Sequence, residues 1–330
     1  SGPNAAGAWM NEFGGQYFDL ARRWDGSFAH QGPPENDPDS YRGWDATGSI
    51  LLAYAMPLKK IALTGSRKCH VPELDAAAGA ALLDDGRGWN NKDRTSYYDR
   101  LSDEQLLARL ASWSPVVRER AAMAIARRKA PPVAAVQKLL ASPKLEARYG
   151  ACQALAALRN RAAPAVEPLR ACLTDGDLWL RVKAADALAQ IGRAAAPAVP
   201  KLLELLAEVD PVNDPRGMQQ RYLTFALFDN GGLLGRSLEG VDREALYRAV
   251  RAGLKNQDGR ARGSIQSVYR NLSTEDLTPL WPAIYRAVVE PAPSGEMFAD
   301  AIRVEGLRLL ADHRIEEGLA ACVQYARHQN

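Results

Sequence analysis

An arginine opens one helical pattern after another along this chain: Arg118, Arg148, Arg181, Arg221, Arg262 and Arg303 recur at intervals of 30 to 41 residues. Self-similarity at such a period marks stacked helix pairs, in which no pair buries its own apolar face and neighbours must cover it. Behind the first three arginines runs a stripe of small residues: Ala121, Ala122, Ala124 and Ile125, then Ala151, Cys152, Ala154 and Leu155, then Ala184, Ala185, Ala187 and Leu188. A second marker keeps stricter time. Pro131, Pro164 and Pro197 lie 33 residues apart, each followed two residues on by Val133, Val166 or Val199. Small side chains at inner positions let helices approach closely, so the pattern predicts an all-α stack of helix pairs.

From residue 101 onward the chain reads as helix, turn, helix. The expected pairs are 102–111 with 116–128, 133–140 with 145–158, 166–173 with 178–191, and 199–209 with 219–228. Two more follow, 243–254 with 262–272 and 275–289 with 298–311, and helix 315–327 closes the stack. Ser102 and Asp103 are candidates to cap the first helix, and Gly192 fits a helix stop. Residues 210–217, rich in Pro, Asn and Asp, form an insertion within the fourth pair. A terminal cap is expected because an end repeat must shield its neighbour's apolar face.

Composition narrows what the stack does. Of 330 residues, 47% are hydrophobic and 25% charged, a globular balance. The net charge is only +3, and residues 101–330 mix 31 Lys/Arg with 26 Asp/Glu. No element concentrates a basic surplus, which argues against a nucleic-acid partner. No apolar run of about 18 residues occurs, so no membrane span is expected. Cys69, Cys152, Cys172 and Cys322 lie too far apart for a C-x-x-C site, although a single disulfide stays open. The Cys69–His70 pair alone does not supply a tetrahedral metal site. No G-x-S-x-G, G-x-G-x-x-G or P-loop pattern occurs, and Gly231-Gly232-Leu233-Leu234-Gly235 reads as a turn. The sequence therefore assigns the repeats no catalytic residue, metal or cofactor.

The segments Leu180-Arg181-Val182-Lys183-Ala184-Ala185-Asp186-Ala187-Leu188 and Val117-Arg118-Glu119-Arg120-Ala121-Ala122 resemble the HEAT family, particularly its short-repeat, alanine-rich branch. The resemblance covers roughly residues 101–328 and implies a right-handed α-solenoid of about six helix pairs plus a capping helix. It also implies that the second helices line a concave side. An aspartate often precedes the family's arginine and ties adjacent repeats; Asp175 or Asp177 is placed to serve Arg181, while Ser114-Pro115 and Ser142-Pro143 stand upstream of the earlier arginines. The same repeats are similar to phycobilisome-lyase-type HEAT proteins, which handle bilin chromophores.

Counted from each repeat arginine, positions +1, +2, +5 and +9 face away from the small-residue stripe. They bring Arg120, Met123, Arg127, Tyr149, Gln153, Lys183, Asp186 and Gln190 to a candidate groove, with Glu305, Arg308 and Asp312 farther on. Arg, Tyr and Met are enriched at protein interfaces, so a protein or peptide is the expected partner. A phosphate track would be more uniformly basic. The repeat arginines themselves read as bridges between repeats or caps of helix ends.

The first hundred residues differ. They hold Trp9, Trp24, Trp44 and Trp89, four of the seven tryptophans. Two helices, 10–24 and 43–56, flank a long loop. Arg23-Trp24-Asp25-Gly26-Ser27-Phe28 and Gly43-Trp44-Asp45-Ala46-Thr47-Gly48 resemble one hairpin of an α/α toroid, the barrel of terpenoid cyclases and prenyltransferases. Asp25, His30 and Asp45 lie where such enzymes carry their active sites. Two helices are too few for a complete toroid, so the expectation is a C-terminal piece of a larger protein, packing against an absent upstream barrel. The resulting division is a partial toroid-like hairpin (1–66), a connector (67–100) and the repeat domain (101–330). The favoured function is a non-catalytic scaffold holding a protein or peptide in its concave groove. The alternative is a bracing or regulatory tail of a toroid enzyme acting on a carbohydrate or isoprenoid-like substrate.

Overall fold

The computed structural model describes residues 51, 75–86, 97–256, 265–290 and 300–326. The chain divides into two compact units, Ser1–Trp89 and Asn90–Asn330. In the first, helix α1 spans Ala76–Gly86, within the expected connector 67–100. The expected toroid-like hairpin, with Asp25, His30 and Asp45, lies outside the described residues apart from Leu51.

The regular elements among the described residues are all helices, with no β-strand. The second unit begins with a short helix, α2 (Tyr97–Arg100), followed by α3 (Asp103–Leu110) and α4 (Pro115–Arg127). Then come α5 (Val133–Lys138), α6 (Leu145–Leu158), α7 (Val166–Cys172), α8 (Leu178–Ile191), α9 (Val199–Ala207) and α10 (Met218–Phe228). The remainder is α11 (Arg243–Leu254), α12 (Thr274–Val289), α13 (Asp300–Asp312) and α14 (Leu319–Ala326). Second helices pack on second helices: α4 on α6, α6 on α8, α8 on α10. On the other side α9 packs on α11 and α11 on α12, while α3–α4, α7–α8, α9–α10 and α12–α13 pack within their pairs. No helix among the described residues is long and apolar enough to cross a membrane.

Local chemistry sets the helix ends. The hydroxyl of Ser102 accepts from the Gln105 amide while the Gln105 side chain accepts from the Ser102 amide, closing a capping box on α3. Asp177 caps α8 by accepting from the Leu180 amide at 2.8 Å, and Ser273 with Asp276 builds a second capping box on α12. Pro115 takes the first position of α4, where a missing amide costs nothing. Gly192 ends α8 with φ of 80° and ψ of −137°, a region closed to most side chains. The equivalent end of α6 is Arg159, which holds φ of 54° and ψ of −133° without that freedom.

The two seven-residue connections, 159–165 and 192–198, are 3₁₀ segments carrying Pro164 and Pro197. Their equal length keeps α7 and α9 in the register of the 33-residue spacing. Within the expected helix 262–272, residues 266–271 are 3₁₀ rather than α-helical; short 3₁₀ pieces are common as connectors.

The small-residue stripes form the interior. Ala121, Ala151, Cys152, Ala154, Ala184, Ala185 and Ala187 are fully buried, and a single apolar cluster runs from Tyr98 to Leu309. A close seam between two helices lies at Gly150 of α6. A Cβ there would stand 2.0 Å from the backbone oxygen of Leu110, at the end of α3. Only glycine lets the two backbones meet this closely.

Candidate functional site

The repeat arginines tie the pairs together. Arg118 is buried and donates to the carbonyls of Ser112 and Trp113 in the turn before its own helix. Its Nε donates to Gln153 of α6. Arg181 repeats the device one pair further on, donating to the carbonyls of Asp175 and Gly176 and, through Nε, to Gln219 of α10 at 2.7 Å. The expected service of Asp175 or Asp177 to Arg181 is redirected. Arg181 takes the Asp175 carbonyl, the Asp175 carboxylate pairs with Arg148 of α6, and Asp177 caps α8 while accepting from the Tyr149 hydroxyl at 2.7 Å. Arg303 likewise donates to the carbonyls of Val288 and Glu290.

A second recurrent device is a tyrosine ring with two cations close to it. Arg118 and Lys183 lie 5.7 and 5.8 Å from the ring centroid of Tyr149, and Arg109 and Arg120 both lie 5.9 Å from that of Tyr98. Cations at this distance are attracted by the negative face of the ring. Desolvation, followed by the nearby Arg118 charge, holds the Lys183 ammonium below the usual lysine range. Desolvation also pushes the Tyr149 hydroxyl up, and its bond to Asp177 adds to this.

Beyond Lys183, between α8 and α10, the surface opens into a cleft of about 450 Å³, within the roughly 300–1,000 Å³ typical of ligand sites. Its walls carry Trp179, Tyr222 and Phe225, together with Lys183, Asp186 and Asp229. Trp179 is 44% exposed, and Tyr222 and Phe225 are each 38% exposed. Their rings touch edge to face, with centroids 5.7 Å apart for Trp179–Tyr222 and 6.5 Å apart for Tyr222–Phe225. Asp186 is open to solvent on one side and crowded by protein on the other. Desolvation raises its carboxyl above the ordinary aspartate range, opposed by the Gln190 side chain and by Lys183.

Lys183, Asp186 and Gln190 of the sequence-derived groove thus meet in this cleft, with Tyr149 and Gln153 on the next helix. Arg120 and Arg127 go elsewhere: Arg120 faces Tyr98, and Arg127 pairs with Asp99 at 2.7 Å. Both lie against α2, a helix absent from the sequence reading. Met123 is half-buried on α4. Arg308 makes an exposed pair with Glu305 on α13, well apart in sequence from the cleft. The residues that reasoning from sequence missed are the three aromatics. Tyr222 occupies the outward +1 position after Arg221, and that register was the available signal.

Two family models match the sequence. One, described as HEAT repeats, covers residues 104–167; the other, described as a domain of unknown function (DUF6288), covers residues 1–65. No curated protein matches the chain. Among solved structures, the crystal structure of an engineered protein aligns over 64% of this chain and 97% of that one, at 19% identity and a TM-score of 0.39. The match over residues 104–167 spans α3 to the start of α7, where Arg118, Arg148 and two small-residue stripes lie, so this stretch is similar to HEAT repeats.

Proposed function

We propose that residues 101–330 form an α-solenoid scaffold that binds a segment of another protein along the exposed face of its second helices, centred on the cleft between α8 and α10. The observation that carries this reading is the cluster of Trp179, Tyr222 and Phe225. Three adjoining aromatics left more than a third exposed are a large apolar patch for a folded surface. Aromatic anchors beside partly desolvated polar groups are the usual make-up of a binding hot spot. HEAT repeats commonly serve as interaction scaffolds, and the arginine bridges give this one a rigid frame.

The test is cross-linked capture from source lysate with the wild-type chain and with Trp179→Ala/Asp186→Lys. Both positions lie outside the arginine bridges, so circular dichroism of the variant is expected to match wild type. A partner captured by wild type and lost with the variant supports the cleft. A partner retained by the folded variant refutes this placement, and absence of any partner removes the scaffold reading.

A further inference from the structure

The lining of the cleft favours one kind of occupant. Its charged groups are two carboxylates, Asp186 and Asp229, and one ammonium, Lys183. That ammonium lies 5.8 Å from the Tyr149 ring centroid and is shared between that ring and Asp186. Asp186 has no ion-pair partner among the described residues, and Asp229 reaches Arg270 only at 3.9 Å across a pair more than half exposed on both sides, an arrangement of little worth in water. The lining therefore carries a net negative charge beside Trp179 and Phe225, while Tyr222 already has the Arg221 guanidinium 5.7 Å from its ring centroid.

Resting on the scaffold reading above, we propose that this cleft recognises an arginine side chain on an extended peptide segment of the partner, the guanidinium lying against Trp179 and Phe225 and pairing with Asp186 and Asp229. A guanidinium is planar, weakly hydrated and able to stack on a ring while its fork of donors meets carboxylates. An ammonium is compact and strongly hydrated, and it gains less from an aromatic wall. A purely apolar or proline-rich segment would further desolvate the Asp186 carboxylate while offering it no donor beyond Gln190 and Lys183, which penalises that occupant.

The experiment uses the full chain labelled with 5-fluorotryptophan, the Trp179 fluorine signal being assigned with Trp179→Phe. Four end-blocked peptides, identical except for Arg, Lys, citrulline or Leu at the centre, are titrated in turn. The expected result is a saturable shift of the Trp179 signal with the Arg peptide. Citrulline, which keeps the shape and loses the charge, should bind about tenfold more weakly or worse. Asp186→Asn should bring the Arg peptide down toward the citrulline level while the spectrum of the free protein otherwise stays unchanged. Equal binding of the Lys peptide overturns the guanidinium assignment. Equal or tighter binding of citrulline or Leu overturns the charge argument and leaves the scaffold reading standing. If no peptide moves Trp179, the cleft is not a peptide site, and both this inference and the placement of the scaffold site fall.

Discussion

Replacing Gly150 by alanine tests a close backbone approach between two helices of the array. In a helix interior this substitution ordinarily stabilises, by about 0.5–1 kcal/mol, because glycine carries the larger entropy cost. Here the new Cβ would meet the Leu110 oxygen at 2.0 Å and the Leu110 carbonyl carbon at 2.8 Å. Both are backbone atoms, so no side-chain rotation relieves the contact. Helix α6 must retreat from the end of α3 by about an ångström, loosening the packing of Leu106, Leu110 and Ile125, all fully buried. Overpacking of this kind costs about 1–3 kcal/mol or more, which outweighs the propensity gain. The expected net loss is about 1–3 kcal/mol, or roughly 2–10 °C in midpoint for a unit of this size. Urea and thermal unfolding, followed by far-ultraviolet circular dichroism, measures it. Gly79→Ala is the control, since Gly79 is helical and a Cβ there has nothing within 4 Å; that change should be neutral or stabilising. An unchanged or raised midpoint for Gly150→Ala would refute the packing argument.

Three further outcomes are expected. Arg159→Gly should stabilise by about 1 kcal/mol in the same unfolding assay, because it removes the backbone strain that Gly192 avoids at the equivalent helix end; a loss of stability would show the arginine side chain to matter more. Ala184→Leu places extra bulk at a fully buried position between helices and should cost about 1–3 kcal/mol, whereas a neutral result would mean the stripe is loosely packed. Asp276→Asn probes pH. The Asp276 carboxylate is desolvated, but Ser273, the Tyr247 hydroxyl and Arg243 outweigh that and hold its carboxyl below the usual range. A depressed native value contributes stability above the unfolded value of about 3.9 and loses it as pH falls toward the native one. The wild-type advantage over Asp276→Asn should therefore be flat from pH 7 to about 5 and shrink below pH 4. An advantage that persists unchanged at pH 3 contradicts the assignment.

What sequence made visible was local or strictly periodic. The Ser102 cap, the Gly192 stop and the stripe from Ala184 to Leu188 each follow from spacing within one helix. Three aspects were not visible, each for a physical reason. Trp179 stands two residues before Arg181, and Phe225 four after Arg221, so they share no repeat register; packing of α8 on α10 brings them together. Arg120 and Arg127 occupy outward positions but find Tyr98 and Asp99, because Tyr97–Arg100 folds as a short helix against α4. The Asp175 carboxylate and its own carbonyl serve different arginines, a division of labour that depends on which atoms of one turn face each neighbour.

The residue two places after each of the first three repeat arginines is Arg120 in α4, Gly150 in α6 and Lys183 in α8. The outer two reach toward tyrosine rings, and the middle one has no side chain to reach with. Excising one 33-residue period, residues 131–163, would carry Lys183 to the place where Gly150 faces the Leu110 oxygen. No Cβ fits there. Modules that look interchangeable on paper are thus keyed to their neighbours, and a shortened or shuffled array would fail at this joint before any ligand arrived. The order of the repeats is written into the molecule as lock and ward.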